Sequence, residues 1–255
     1  MAVALDSNVV LGGADATESA VPLATQLREG TKKSHTMSDN TGFVSCFLKG
    51  VVDKLSYRKL VASLYFVYAA MEEEIDRLRP NPVLQPIAFA ALDRRSALEA
   101  DLVFYYGENW LEQIKPTPAA TEYVARIHEL ANSAPELLVG HHYTRYLGDL
   151  SGGQILKTIA QKAMNMQGDA GLQFYVFPAI EDEKEFKNTY RAALNSLAID
   201  QTMADRMVEE ANHAFHLNMK LFQELEGNLV AAIGKVLFGF LTRRQINGST
   251  ETVNN

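Results

Sequence analysis

The placement of proline constrains this chain more than any other feature. Eight prolines fall at 22, 80, 82, 86, 116, 118, 135 and 178, and long proline-free stretches lie between them. Proline lacks the backbone donor of a helical turn and its ring clashes with the turn before it, so helices end at or near it. The intervening stretches carry apolar residues at the 3.6-residue rhythm of an amphipathic helix. They predict helices over 23–35, 40–50, 56–78, 93–106, 118–132, 135–164, 183–196 and 201–240. No strand-length alternation appears, and the run FYVF at 174–177 is too short to count. At 255 residues and 47% hydrophobic, the expected fold class is all-α: a single-domain globular helical bundle with no internal repeat. That domain is expected over 23–242, with disordered segments at 1–22 and 243–255.

One predicted helix contains residues it should not want. Residues 143–154 read YTRYLGDLSGGQ, and the flanks ELLVGHHYTRYL and ILKTIAQKAM keep the helical rhythm on both sides. Three interior glycines, Gly148, Gly152 and Gly153, cost roughly 2–3 kcal/mol relative to alanine unless something compensates. Gly148 and Gly152 are four apart and share a face. A strip of bare backbone offers a flat seat for a planar ligand, and it allows the helix to kink and flex. Close packing of another helix on small residues accounts for the same pattern, and spacing alone does not choose between the two.

Charge and cysteine content exclude several classes. The net charge is −7 and the pI near 5.4, with no basic block, which argues against nucleic acid as a partner. The single cysteine, Cys46, excludes a disulfide framework, covalent haem attachment through Cys-x-x-Cys-His and iron–sulfur ligation within the chain. Electrons, if used, come from outside. The first residues lack the pattern of a secretory or transit peptide. The late apolar run Leu229–Leu241 is interrupted by Lys235 and falls well short of the ~20 residues that span a bilayer. No membrane anchor is expected.

Glu72, Glu73 and Glu74 close an apolar helix and read as a solvated face, with one member pairing a cation. Met164, Met166, Met203, Met207 and Met219 read as core. Among six histidines, His35 has Thr31 one turn before it and Asp39 one turn after, in a helix that also carries Arg28, Lys32 and Lys33. Spacing alone favours a structural or surface role for it. Glu210-Ala-Asn-His213 matches the Glu-x-x-His pattern of di-iron bundles, but such a centre needs two of these motifs and two further glutamates, and one motif is found. His128 reads as half-exposed, and no role is assigned to His142.

The glycine segment, LREGTKKSHTM at 27–37, ASLYFVYAAMEEEI at 62–75 and FKNTYR at 186–191 together resemble haem oxygenase. The resemblance runs in register from about Leu23 to about Arg243. It is closest to the soluble enzymes of phototrophic bacteria, which make biliverdin for bilin pigments. It implies that haem b is both substrate and prosthetic group, that His35 is the axial iron ligand, and that Asp39 orients its second nitrogen. It implies that Gly148 and Gly152 bring backbone near the oxygen site, where a strong acid–base side chain would misdirect the chemistry. Asp149 then holds a water chain that delivers protons, with Arg145 as its ion-pair partner. Lys187 and Arg191, helped by Tyr143 and Arg28, meet the propionates. Thr31, Thr144, Gly153, Phe215, Asn218 and Phe222 complete the pocket, and His141 is a buried hydrogen-bonding group. The reaction implied is cleavage at the α-meso carbon to biliverdin IXα, ferrous iron and carbon monoxide. A ferredoxin is the expected electron donor, docking on a basic surface for which Lys32, Lys33, Lys187 and Arg191 are the candidates. The setting is cytoplasmic, and the resemblance leaves room for a bilin reductase downstream. A haem-binding protein without catalysis on the same fold is the competing reading.

Overall fold

The computed structural model describes the backbone of residues 21–246 and the side chains of 21–225. The expected N-terminal extension, apart from its last two residues, lies outside the described residues, as do 247–255. The described chain is helical, with no strand. In order, the helices are α1 (Leu23–Asp39), α2 (Gly42–Leu48), α3 (Lys54–Arg77), α4 (Arg95–Tyr106), α5 (Trp110–Gln113), α6 (Pro118–Ser133), α7 (Leu138–His142), α8 (Gly148–Ala163), α9 (Glu183–Asn195) and α10 (Gln201–Ile246). The backbone of α10 continues through residues 243–246, which were expected to belong to the disordered tail.

Local chemistry sets the helix boundaries. Asp53 accepts from the backbone N–H of Leu55 and Ser56 at 2.8 and 2.9 Å and so caps α3. Thr117 caps α6 through Ala120 N–H, with Pro118 as its first residue. Asp182 caps α9 through Lys184 and Glu185. Each carboxylate or hydroxyl satisfies donors that a helix start leaves unpaired. Gly107, at φ +81°, ends α4 in the left-handed region that glycine enters without strain.

α10 packs along α1 and also touches α2, α3, α6 and α7, so it is the spine of the bundle. Where α7 crosses it, a Cβ on Gly140 would lie 2.8 Å from Ala211 N and 2.9 Å from Met207 O. The backbones therefore meet directly. Val67, Tyr68, Met71, Leu98, Leu102, Tyr123, Ile127, Leu138, Val139 and Met207 form the fully buried centre of the core. Met164, Met166 and Met219 are buried as expected, and Met203 packs against the core from a half-buried position.

The region predicted as one helix over 135–164 is helical throughout but not uniform. A 3₁₀ turn over Pro135–Leu137 leads into α7, and Tyr143–Leu147 forms a π-helical turn before α8 begins. Such π turns interrupt the α-helical ladder and are a recognised cause of helix bending. Short 3₁₀ turns at Gln85–Ile87, Ala90–Leu92 and Gln173–Tyr175, and the single turn of α5, have no counterpart in the sequence reading.

The acidic triplet departs from expectation. Only Glu73 is exposed. Glu74 is buried and pairs with Arg77 at 2.6 Å and His128 at 2.7 Å. Glu72 accepts from Arg94 N and Arg95 N and from the Tyr146 hydroxyl, which ties α3 to the start of α4. Burial pushes its carboxyl up to about 7.

Glu210 holds α10 to α6 and α7. It takes Arg126 at 2.6 Å and buried His141 at 2.9 Å, while His213 stands 3.6 Å away. Both oxygens are thereby committed to structural partners. Among the described residues no group of three or more His, Cys, Asp or Glu is placed to hold a metal ion, so the di-iron reading fails. Burial alone would raise the Glu210 carboxyl, but the hydrogen bonds from His141 and Arg126 outweigh it and bring it down to about 2. A carboxyl depressed in the folded state contributes stability that is full above its ordinary value and is lost as pH falls towards the folded value. We therefore expect Glu210→Gln to cost on the order of 2 kcal/mol at pH 7, allowing for solvent screening at partly exposed Arg126. The difference from wild type should shrink between pH 4.5 and 2. Denaturant titrations at both ends of that window measure it, and a pH-independent difference would refute the assignment.

Candidate functional site

A cavity of about 920 Å³ opens between α1, α2, α8 and α10, at the upper end of the range for small-molecule and cofactor sites. From α1 it is lined by Arg28, Thr31, His35 and Asp39, and from α2 by Phe43 and Phe47. The π turn and α8 supply Tyr143, Thr144, Arg145, Gly148, Asp149 and Gly152, and α10 supplies Phe215, Asn218 and Phe222.

His35 stands on the α1 wall with more than half of its side chain exposed, and its Nδ1 lies 3.1 Å from Asp39 Oδ2. One ring nitrogen is therefore oriented by a carboxylate while Nε2 remains available to a ligand, the arrangement that fixes tautomer and direction in metal-binding histidines. Phe215 packs edge-on to the ring at 5.7 Å, and Phe222 stacks on Phe43 at 5.9 Å. These rings make an apolar wall suited to a large planar ligand.

The glycines divide. A Cβ added to Gly148 or Gly152 meets nothing within 4 Å, so both present bare backbone to open cavity. No helix is packed on them, which removes the close-packing alternative for this pair. Gly153 is different: its Cβ would lie 3.3 Å from the Tyr175 ring, and it is not a cavity residue. It allows the 173–175 turn to dock on α8 and does not reach the ligand space.

Beneath the glycine strip lies a buried polar network. Arg145 pairs with Asp149 at 3.4 Å, donates to the Tyr68 hydroxyl at 3.0 Å and bonds Asn218; Tyr68 in turn donates to Asp149. Burial pushes the Asp149 carboxyl up, while Arg145 and Tyr68 oppose the rise. The pairing of Arg145 and Asp149 follows their i, i+4 spacing. Tyr68 comes from α3, far away in the chain, and its part in the network went unrecognised because no local spacing signals it. Phe174 and Tyr175, which also line the cavity, were missed for the same reason.

The remaining predicted residues are placed unevenly. Thr31 is buried and donates to Leu27 O at 2.7 Å, and the Tyr143 hydroxyl hydrogen-bonds it. Thr144 donates to Ala211 O at 3.4 Å. Arg28 lines the cavity while its guanidinium pairs with Glu29 at 2.8 Å. Arg191 lines the cavity, but Lys187, one turn earlier on α9, does not. The structure therefore brings one cation of that pair to the rim. His141 is fully buried, as expected, and donates through Nε2 to Glu210. His142 is buried against Tyr190, with its ring stacked on the phenol and Nδ1 2.6 Å from the hydroxyl. Burial brings His142 down to about 3, so it is a neutral packing group. His128 is half-exposed.

The fold and this cavity are those of a haem-degrading oxygenase family. A family model described as "Heme oxygenase" matches residues 21–224, and the chain belongs to that family. It is 62% identical to "Heme oxygenase 1" of Synechocystis sp. over 91% of this chain and 96% of that protein. It is 53% identical to "Heme oxygenase" of Rhodella violacea over 89% of this chain and 96% of that one. The crystal structure of heme oxygenase-1 from Synechocystis sp. in complex with heme superposes with a TM-score of 0.85 at 61% identity, covering 87% of this chain and all of that one.

Proposed function

We propose that the protein cleaves haem b at its α-meso carbon, giving biliverdin IXα, ferrous iron and carbon monoxide, with dioxygen as oxidant and a ferredoxin as electron donor. The observation that carries this reading is the glycine strip: two glycines with open space over them, in a wall whose one carboxylate, Asp149, lines the cavity while it is held by Arg145 and Tyr68. A porphyrin can lie flat against such a wall, and no side chain from Gly148 or Gly152 competes for the space above it.

When bound, haem supplies the iron that activates dioxygen and the carbon skeleton that is oxidised. The chain's residues hold, orient and protonate. His35 Nε2 is the nitrogen available to iron, and Asp39 keeps the ring turned towards it. Phe215, Phe222, Phe43 and Phe47 exclude water from the ring system. Asp149 is the carboxyl beside the ligand space that can relay a proton: burial pushes it up, Arg145 and Tyr68 oppose the rise, and Arg145, itself bonded to Asn218, keeps it in place. Arg191 and Arg28 at the rim match propionate charge, while Lys187 is left as a surface cation.

Mixing purified protein with haemin, a reductant and oxygen tests the reading: bleaching of the Soret band with release of a bilin is the expected result. A stable haem complex that never yields bilin would establish binding without catalysis. Gly148→Leu and Gly152→Leu are expected to lower turnover by on the order of 100-fold, because each side chain enters the ligand space. Melting temperature should hold or rise, since glycine is the poorest helix former after proline and leucine is among the best. Wild-type turnover in either variant would remove the close-approach argument.

Among the described residues no helix is long and apolar enough to cross a membrane. We place the protein in the cytoplasm, with its donor docking near exposed Lys32 and Lys33, Arg191 and half-buried Lys187. Surface charge pairs are screened beyond about 8–10 Å at physiological salt. Ferredoxin-driven turnover should thus fall steeply with ionic strength while ascorbate-driven turnover should not, and equal sensitivity to salt would overturn the docking assignment.

A further inference from the structure

A buried carboxylate lies outside the site described so far. Asp101, in the middle of α4, is 0% exposed. Its Oδ1 accepts from Gln173 N at 2.7 Å and its Oδ2 from Phe174 N at 2.9 Å. The carbonyls of the same turn are held from the other side by Arg94, whose Nη1 donates to Phe174 O at 3.3 Å and Val176 O at 2.5 Å while its guanidinium covers the Phe177 ring. Two opposite buried charges thus grip one short turn by its N–H groups and its C=O groups. Hydrogen bonds to ionised groups are the strong ones, and a buried carboxylate without partners is costly. The turn is therefore specified far more tightly than a loop of its length normally is.

The gripped turn touches the glycine helix. The Tyr175 ring lies against the bare α-carbon of Gly153, and Gln154 Nε2 donates to Tyr175 O at 3.0 Å. Phe174 and Tyr175 also line the cavity. Because α8 follows a π turn, its first turns lack an unbroken α-helical ladder on their N-terminal side. The contact at Gly153 and Gln154 lies on the same helix as Gly148 and Gly152, immediately after them.

We propose that Asp101 is a positioning residue for the glycine helix, acting through the 173–175 turn and its seat on Gly153 and Gln154. It touches neither the ligand space nor the Asp149 network. This inference takes the cavity to be the haem site, but its first test does not depend on that reading. In the ligand-free full chain, Asp101→Asn keeps side-chain shape and sets an N–H against an N–H at one of the two bonds. Amide hydrogen exchange should accelerate by on the order of tenfold at 173–176 and at 148–156. Exchange in α6 and in α10 up to Leu225 should stay unchanged. Gln154→Ala should loosen 148–156 alone, and the double variant should loosen it no further than the stronger single one, because both cut the same link. Unchanged exchange at 148–156, a uniform acceleration across the chain, or additive effects in the double variant would each overturn the proposal. With haemin, reductant and oxygen, Asp101→Asn should retain haem binding and release a mixture of biliverdin isomers. A single isomer at wild-type yield, alongside loosened 148–156, would also overturn it. Failure of the wild-type protein to make any bilin would instead count against the proposed function, leaving the exchange result to stand on its own.

Discussion

His35→Ala is expected to abolish the spectrum of imidazole-ligated haem and to reduce bilin formation by more than 100-fold. The residue offers the oriented imidazole on the α1 wall, and its partner Asp39 leaves Nε2 available. Magnitudes separate the ligand from its support. Loss of an outer partner costs about 10–100-fold in metal affinity or activity, so Asp39→Asn should fall within that range and keep the ligated spectrum. Loss of the ligand itself should exceed it. Added imidazole, small enough to enter a cavity of about 920 Å³, should restore part of both spectrum and turnover in the alanine variant. An unchanged ferric spectrum in His35→Ala would move the ligand elsewhere. His141 and His142 are poor substitutes, since both are buried and bonded to Glu210 and Tyr190.

Asp149→Asn is the second large effect. The amide keeps shape and some hydrogen bonding to Tyr68 and Arg145 but cannot carry a transferable proton. General acid–base groups contribute about 10²–10⁴-fold, so bilin yield should fall within that range while haem affinity stays near wild type and oxygen consumption continues. The charge of Arg145 is left with Tyr68 and Asn218 as neutral partners, so a modest loss of thermal stability should accompany the kinetic defect. Comparing bilin produced per oxygen consumed separates the two: a structural role alone lowers both together. Normal biliverdin output would reduce Asp149 to a packing partner of Arg145.

Much of this site was legible because it obeys helical arithmetic. Gly148 and Gly152 share a face, Arg145 reaches Asp149 across one turn, and His35 reaches Asp39 in the same way. Proline spacing placed the larger helices for a similar reason, since the effect of proline is local. What stayed hidden depends on partners far away in the chain. The resemblance placed Gly153 in the pocket, but one residue of rotation from Gly152 turns it towards Tyr175. Glu72 and Glu74 read as solvent-facing because nothing local announces the backbone of Arg94 or the ring of His128 that covers them. Lys187 shares its spacing with Arg191, yet only Arg191 lines the cavity, because a shared helix face does not say how far along the helix the cavity reaches. The π turn was anticipated only as a kink, because its hydrogen-bond pattern depends on tertiary contacts rather than on composition.

That turn makes length as well as identity a determinant here. A helix advances about 100° per residue, so its phase after Tyr143–Leu147 depends on how many residues the turn contains. Deleting Tyr146 or Leu147, with the wide turn kept and α7 held in place on α10 by Gly140, would shift the following register by one. Asp149 and Gly153 would then fall into the positions of Gly148 and Gly152, and Leu150 into the polar position of Asp149. An aliphatic chain would face Arg145 and Tyr68, and a carboxylate would enter the ligand space. A single deletion that keeps the wide turn therefore rotates the glycine helix by about 100° against the pocket it lines.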